Sequence, residues 1–314
     1  MKKFNEIFID KTKYGEKIQT SEYEKQGKHI IVDQGQAEIA GYTNREEGLF
    51  NEVPVIIFGD HTRLIKYIDE PFFLGADGVK VLRSKEKNAN YKYLYYALKS
   101  AKIPNTGYNR HFKWLKDVEI NYPDSVKQEK IVDILDRVSD VIEKRKAELS
   151  YLDTLIKARF VEMFGDPIRN TQNRPTTEFI NVVKMQRGFD LPVQDRQQDG
   201  EIPVYGSNGA LDYHNVAKIH GGVITGRSGT IGKVFYTEGD FWPLNTSLFS
   251  ADTHGNNVIY LGYLLQLFDL TRFVEGTGVP TLNRNMFHNK QIIDVPIDEQ
   301  RVFAAFVNEI DKSK

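Results

Sequence analysis

Residues 128–160 read QEKIVDILDRVSDVIEKRKAELSYLDTLIKARF, and the spacing of their apolar side chains decides the fold. The seam positions follow one another by four and three residues in turn: Ile131, Leu135, Val138, Ile142, Arg145, Leu149, Leu152 and Ile156. A heptad kept over this length indicates a coiled-coil-like helix that needs a partner helix, because a helix lying on a globular core drifts to a period of about 3.6. We expect Arg145 to fix the register by meeting an acid across the helix interface. At about 1.5 Å per residue the helix would be roughly 50 Å long and would separate two globular halves.

On either side of this helix the chain repeats the same order of elements, and the residue identity between the halves is low. The matched segments are 29–36 with 201–208, 53–62 with 222–230, 91–101 with 258–268, and 118–123 with 292–296. Both halves also carry an Asn-Arg pair, Asn109-Arg110 and Asn283-Arg284, followed by a helix that begins at Gln128 or Gln300. A period of roughly 170 residues is too long for a solenoid, so the repeat predicts a duplicated domain.

The repeat and the heptad together predict an α+β protein. Two duplicated domains, each with mixed β-rich sheets and short helices, are separated by a long coiled-coil-like helix. The predicted bounds are 1–123 for the first domain, 124–163 for the helix, 164–297 for the second domain, and 298–314 for the start of a second long helix. That second helix repeats the seam of the first with Phe303, Val307 and Ile310, and we expect it to be shortened.

Composition narrows the class of protein. The chain has 314 residues, a net charge of −1 and no cysteine, which excludes disulfides, thiolate zinc sites and a cysteine nucleophile. It has no apolar run of transmembrane length and no secretory leader pattern, so we expect a cytoplasmic protein without a membrane partner. Between Lys80 and Lys116 basic residues outnumber acids ten to one, and aromatic residues are interleaved with them. This stretch favours a nucleic-acid footprint, with a solvated lysine-rich helix face as the alternative.

Motifs for catalysis and cofactors are missing from the sequence. The run Gly226-x-x-Gly229-x-x-Gly232-Lys233 resembles a phosphate loop but has the wrong spacing, and Val234 stands where a Mg²⁺-binding Ser or Thr is needed. There is no Asn/Asp-Pro-Pro-Tyr/Phe run, no dinucleotide loop and no cluster of metal ligands. We therefore expect no catalytic residues, no metal and no cofactor.

Three segments and the two helix starts resemble one family. The segments are FVEMFGDP at 160–167, GRSGTIG at 226–232 and PTLNR at 280–284, and each long helix opens with a Pro-x(n)-Gln signature, which Arg301 extends to Gln-Lys/Arg in the second helix. These features resemble specificity subunits of Type I restriction-modification systems. The resemblance implies a non-catalytic subunit with two target-recognition domains, each reading half of a split site in double-stranded DNA. It also implies that the long helices set the half-site spacing and dock two methyltransferase subunits, and that a motor-nuclease restriction subunit joins for cleavage. Self-association, or a second chain, is expected to complete the helix pair.

Polar side chains on turns of a β scaffold are the candidates for DNA contact, because base edges are read by hydrogen bonds while strands hold the loops in place. In the first domain these candidates are Gln34, Gln36, Asn44, Arg45, His61, Arg63, Asn109, Arg110 and Lys113. In the second domain they are Tyr205, Ser207, Asn208, Arg227, Ser228, Thr277, Asn283 and Arg284. The two Asn-Arg pairs are favoured because both halves have them.

Three other readings remain open. A standalone nuclease or methyltransferase would need catalytic motifs that the sequence lacks. A scaffold that binds other proteins across a helical spacer would not need the basic aromatic stretch, and salt-dependent binding to duplex DNA would separate it from a DNA reader. A specificity subunit for a related system, in which methylation and cleavage share one polypeptide, is not distinguished from Type I by any residue of this chain.

Overall fold

The heptad forms a single α-helix, Ser125–Phe164, so the predicted long helix is confirmed. In the computed structural model, which describes residues 1–75, 77–107, 109–197, 199–276 and 280–314, the chain divides into two compact units. The first unit is Met1–Lys144 and the second is Arg145–Lys314, and the helix begins in one and ends in the other. Each unit is built from β-sheets and short helices, which confirms the predicted α+β class.

The first unit contains nine strands among its described residues. Its elements are β1 (Lys2–Lys3), α1 (Phe4–Ile7), β2 (Phe8–Asp10), β3 (His29–Val32), β4 (Gly41–Thr43), β5 (Val55–Gly59), β6 (Ile65–Ile68), β7 (Phe72–Leu74), β8 (Val79–Ser84), α2 (Tyr91–Lys99), α3 (Phe112–Leu115), β9 (Glu119–Ile120) and the start of α4 (Ser125–Phe164). An antiparallel sheet has the strand order β2-β8-β5-β6. A second sheet has the order β4-β3-β7, with β3 and β7 parallel, and β1 pairs with β9.

The second unit is built around a six-stranded sheet. Its elements after α4 are β10 (Thr176–Glu178), α5 (Phe179–Val182), β11 (Lys184–Arg187), β12 (Ile202–Gly206), β13 (Gly209–His214), β14 (Ile219–Gly226), β15 (Val234–Pro243), β16 (Ser247–Asp252), α6 (Val258–Phe268), β17 (Val274–Glu275), β18 (Thr281–Leu282), β19 (Gln291–Ile293) and α7 (Ile297–Asp311). The sheet order is β11-β16-β14-β15-β12-β13, with β12 and β15 parallel. Two strand pairs, β10 with β19 and β17 with β18, complete the unit.

Each strand pair described in the first unit has a counterpart in the second, which is how the duplication appears in three dimensions, and the second unit adds the pair β17–β18. The first strand of each unit pairs with the last, and the central strands β5 and β14 each pair with two antiparallel neighbours. One of the corresponding strands also differs in length. The long strand β15 pairs with both β14 and β12. In the first unit two separate strands make the corresponding pairings: β6 pairs with β5, and β7 pairs with β3. Pro71 lies in the gap between β6 and β7, where a residue without an N–H interrupts a strand at little cost.

The core of each unit follows from its apolar pattern. All five residues of β5 are buried, as expected for a central strand covered on both faces. Ile56 and Phe58 pack with α2 on one face, while Val55 and Ile57 pack with the β3–β7 layer on the other. In the second unit α6 is apolar on all sides, and its Tyr260 ring stacks on that of Phe160 in α4, with centroids 5.6 Å apart.

A buried glutamine explains the signature at each helix start. Gln128 donates from Nε2 to the carbonyl of Pro123 (2.9 Å), and Gln300 donates to the carbonyl of Val295 (2.7 Å). Both side chains are almost fully buried. Each amide therefore ties the first turn of its helix to the short segment that joins the helix to the closing strand of its own unit.

The predicted helix seam is packed at its ends and exposed in its middle. Ile131 packs against the first unit's core and Ile156 is completely buried in the second unit's core, whereas Val138 and Ile142 are each 49% exposed. Leu135, Leu149 and Leu152 are half-buried. Within this chain Arg145 pairs with Glu148 of its own helix (2.6 Å), and its contact with an acid across a helix interface stays a prediction. Its other guanidinium nitrogen donates to the carbonyls of Ser313 and Lys314 (2.9 and 2.8 Å). Among the described residues, no helix has both the length and the apolar character of a membrane span.

Candidate nucleic-acid interface

In the first unit the loops that follow β3 and β5 lie at one end of the sheets, and Gln34 joins them. Its Oε1 accepts from the backbone N–H of His61 (3.0 Å), and its Nε2 donates to the carbonyl of Asp77 (2.9 Å). Its own carbonyl accepts from the Thr62 hydroxyl (2.7 Å). The predicted contact residue Gln34 is thus a link between three loops.

The loop before α3 is anchored at the same end by a buried acid. Asp60 accepts at Oδ1 from the N–H of Phe112 and at its carbonyl from the N–H of His111, both at 2.7 Å. The imidazole of His111 is completely buried and contacts Thr106. This anchor places Asn109 and Arg110 on an exposed loop.

Arg110 faces the other loops of this end. Lys17, and to a lesser degree Arg110, hold the pKa of Asp77 below its usual range, because positive charges favour the carboxylate. Gln36 is exposed and lines a cleft of about 460 Å³ together with the buried Lys66. Arg63 donates to the carbonyl of Ile103 (3.3 Å). Lys113 is exposed on α3, with its ammonium 4.9 Å from the ring centroid of Trp114.

Two of the predicted first-domain contacts lie elsewhere. Thr43 is paired with His29, so Asn44 and Arg45 lie at the opposite end of the β3–β4 pair from Gln34. Both are engaged with acids: Asn44 with Glu24 (2.9 Å), and Arg45 with Glu16 (3.3 Å) and Glu22 (2.6 Å). This separation is not visible in the sequence, because the two ends of a short hairpin are only a few residues apart in the chain.

The basic stretch is not one free basic face. Three of its members pair with acids on other elements: Lys80 with Asp10 (3.5 Å), Arg83 with Glu52 (3.1 Å) and Lys92 with Asp136 (2.6 Å). Lys80 and Lys116 also lie over the ring of Phe112, at 4.9 and 4.8 Å from its centroid. Part of the positive charge thus stabilises the unit rather than facing a ligand.

In the second unit the predicted residues within the described part of the chain come together. The N–H of Leu282 donates to the carbonyl of Arg227 (2.8 Å), and Ser228 forms a bridge with Thr281. On the neighbouring turn, Asn208 accepts from the ammonium of Lys233 (2.8 Å). A Cβ on Gly229 would lie 3.3 Å from the hydroxyl of Ser207, which places that turn beside the glycine loop. Thr277 lies outside the described residues.

Tyr205 has a supporting position rather than an open one. Its ring packs on Phe241, with centroids 5.9 Å apart, and burial raises the pKa of its phenol.

The glycine-rich loop is a tight turn against backbone. A Cβ on Gly226 would collide with the carbonyl of Thr230 and lie 3.0 Å from the carbonyl of Ser207, so this position requires glycine. Gly229 and Gly232 have φ values of +82° and +95°, which other residues rarely adopt. These constraints account for the glycines without a bound phosphate.

The two Asn-Arg pairs are not structurally equivalent, which corrects the argument that favoured them. Gln291 follows Glu119 by the same number of residues as Gln300 follows Gln128, and Glu119 and Gln291 hold the same register position in the two closing strands. Counted by this number of residues, Asn283 corresponds to His111. Asn283 caps a 3-10 turn, and His111 stands directly before α3. Asn109-Arg110 therefore lies two residues earlier in its unit than Asn283-Arg284.

A polar cleft of about 320 Å³ lies in the second unit next to these predicted residues. It is lined by Arg187, Arg227, Leu248, Glu275, Thr281, Leu282, Asn283, Arg284 and Asn285. Sequence reasoning missed Arg187 and Glu275, because neither belongs to a turn motif. Arg187 ends β11 and Glu275 ends β17, and only the strand pairing brings them to Arg284. No group of three or more His, Asp or Glu residues in the described ranges is placed to hold a metal ion.

Comparison with known proteins identifies the class of protein. The family model of the Type I restriction modification DNA specificity domain matches residues 1–151 and 170–314. The chain therefore belongs to this family, and the predicted resemblance to specificity subunits, which are non-catalytic, is confirmed.

Two relatives support this membership. The specificity subunit of the Type I restriction enzyme EcoR124I/EcoR124II from Escherichia coli is 29% identical over 133 residues, which are 38% of this chain and 33% of that relative. The crystal structure of a Type I restriction-modification system S subunit from M. genitalium matches with a TM-score of 0.62 at 17% identity. That match covers 99% of this chain and 89% of the M. genitalium chain, and it shows a shared fold.

Proposed function

We propose that this chain reads a bipartite site in double-stranded DNA, with one half of the site read by each unit. The observation that carries the proposal is the duplicated topology, in which the loops after the paired central strands lie at the same end of each unit. Eight of the predicted polar side chains lie on these loops: Gln34, Gln36, His61, Arg63, Ser207, Asn208, Arg227 and Ser228. Loops held by hydrogen-bonded strands can differ in side chains while keeping their place, as reading two different half-sites requires.

We further propose that methyltransferase subunits, two of them, dock on the long helices, and that a restriction subunit joins this complex in the cytoplasm. The half-exposed apolar residues in the middle of α4, such as Val138 and Ile142, support a protein partner or a second chain on that helix. In this proposal residues 1–123 and 164–297 act as target-recognition domains, and residues 124–163 and 298–314 set the spacing.

Methylome sequencing tests the proposal. Cells that express this chain with its cognate methyltransferase subunit should acquire a new methyladenine motif of two short half-sites with a fixed gap. Cells that express the methyltransferase alone are the control. No new motif, in cells where the two proteins copurify, would contradict DNA recognition by this chain.

Matched variants test whether each unit reads only its own half-site. Arg110→Ala and Lys113→Ala in the first unit should alter one half-site only, whereas Asn283→Ala in the second unit should alter the other. If either set changed both half-sites, the one-unit, one-half-site proposal would be wrong.

A further inference from the structure

The cleft of the second unit combines three arginines with one carboxylate. In the described part of the chain, Arg187, Arg284 and Glu275 form no ion pair within 4.0 Å and no side-chain hydrogen bond. The guanidinium of Arg227 has one long contact, with the carbonyl of Asn245 at 3.5 Å. The donors of the arginines and the acceptors of the carboxylate are therefore left for a ligand.

Hydrogen-bonded backbone holds these side chains in place. The N–H of Arg227 donates to Thr246 (2.9 Å) while its carbonyl accepts from Leu282. Arg284 opens a 3-10 turn that Asn283 caps through its side-chain oxygen, 3.1 Å from the N–H of Asn285. Glu275 pairs with Thr281 and Arg187 with Leu248 in their strands. A site held in this way can discriminate between ligands, because little ordering is left to occur on binding.

The carboxylate decides which part of DNA suits the cleft. A site for phosphate alone gains nothing from a glutamate, because the two negative charges repel. Base edges differ, since guanine presents two acceptors that fit an arginine fork, and its partner cytosine presents an amino donor that fits a carboxylate. Both chemistries are present here in one cleft.

We infer that this cleft reads a G·C base pair in the second half-site, an inference that rests on the proposed function. Arg284, which is half-buried, donates to O6 and N7 of guanine, and Glu275 accepts from the N4 amino group of cytosine. Arg187, which is exposed at the rim, contacts a phosphate and positions the duplex. Glu275 is therefore added as a specificity residue and Arg187 as a positioning residue.

The test is selection of binding sites from random duplex DNA by the complete complex of this chain with its methyltransferase subunit. Arg284→Ala and Glu275→Gln should each lose the preference for one G·C pair in one half-site, by roughly 5- to 150-fold in relative affinity. Arg284→Lys keeps the charge but not the fork, so it should lose the same preference. Arg187→Ala should weaken binding to all sequences alike and reduce the salt dependence by about one phosphate contact. Arg169→Ala, an exposed arginine outside the cleft, is the control.

Each outcome is decisive when the variants copurify with the methyltransferase and melt like the wild type. An unchanged motif in Arg284→Ala, Arg284→Lys and Glu275→Gln would overturn the inference and leave the proposed function standing. Uniform weakening by Arg284→Ala, with full rescue by Arg284→Lys, would also overturn it, because it would make Arg284 a phosphate contact. A wild-type complex that selects no motif would overturn the proposed function itself.

Discussion

The central strands of the two units end in the same way, but the residues that follow them have different roles. β5 ends at Gly59 and β14 at Gly226, and in both units the carbonyl of the next residue accepts a backbone hydrogen bond from the segment near the last short helix. That next residue is Asp60 in the first unit, where its buried carboxylate anchors α3. In the second unit it is Arg227, which lines the cleft. Backbone pairing thus fixes where a loop lies. The side chain after the central strand decides whether that loop is anchored to the unit or is open to a ligand.

The two buried glutamines provide the strongest test of the shared scaffold. Gln300 makes three hydrogen bonds, with Val295, Asn256 and the N–H of Asn257, whereas Gln128 donates to the carbonyl of Pro123 and contacts the phenol of Tyr122. Removal of a buried partner costs about 1–3 kcal/mol for the groups left behind. We expect Gln300→Ala to lower the free energy of unfolding by about 3 kcal/mol and Gln128→Ala by about 1 kcal/mol, measured by denaturant unfolding. Equal losses would contradict this ranking.

The glycines at the strand ends should differ next. A Cβ on Gly226 would meet fixed backbone, the carbonyls of Thr230 and Ser207, whereas one on Gly59 would meet side-chain atoms of Thr62 and Gln34. Overpacking of this kind costs about 1–3 kcal/mol. We expect Gly226→Ala to destabilise its unit by about 2 kcal/mol and Gly59→Ala by about 1 kcal/mol, with hydrogen exchange showing which unit is loosened. A larger loss at Gly59 would show that the Thr62 and Gln34 side chains cannot move away.

Gln34 and Asn208 stand on the corresponding turns and should respond unequally. Gln34→Ala removes the link among three loops and should cost about 1.5 kcal/mol, whereas Asn208→Ala loses one exposed contact with Lys233 and should cost under about 0.5 kcal/mol. Thermal melting measures both variants. If Gln34→Ala left stability unchanged but altered the half-site, its amide would be a reader of DNA and not a link between loops.

Lys66 gives the smallest expected effect, and one that depends on pH. Its ammonium lies near Asp33 (3.7 Å) and beside the carbonyl of Ala37, and burial lowers its pKa. The unfolded chain binds the Lys66 proton more tightly than the folded chain does. The free energy of unfolding therefore rises as the pH increases toward the ordinary lysine pKa of about 10.4. The strand pairing puts Phe235 at this position in the second unit. We expect Lys66→Met to remove this rise below the ordinary lysine pKa, as a small effect. An identical pH profile of melting in wild type and variant would contradict it.

The sequence determined what depends on local periodicity and on repetition. The heptad gave the helix Ser125–Phe164, the repeated order of strands gave the duplicated topology, and short motifs gave the family. Tertiary structure alone decided the role of each polar side chain. It made Gln34 a link between loops, moved Arg45 to the far end of a hairpin, and brought Arg187 and Glu275 to Arg284. The physical reason is that periodicity is written in neighbouring residues, whereas a side chain's partners depend on strand pairings between distant segments.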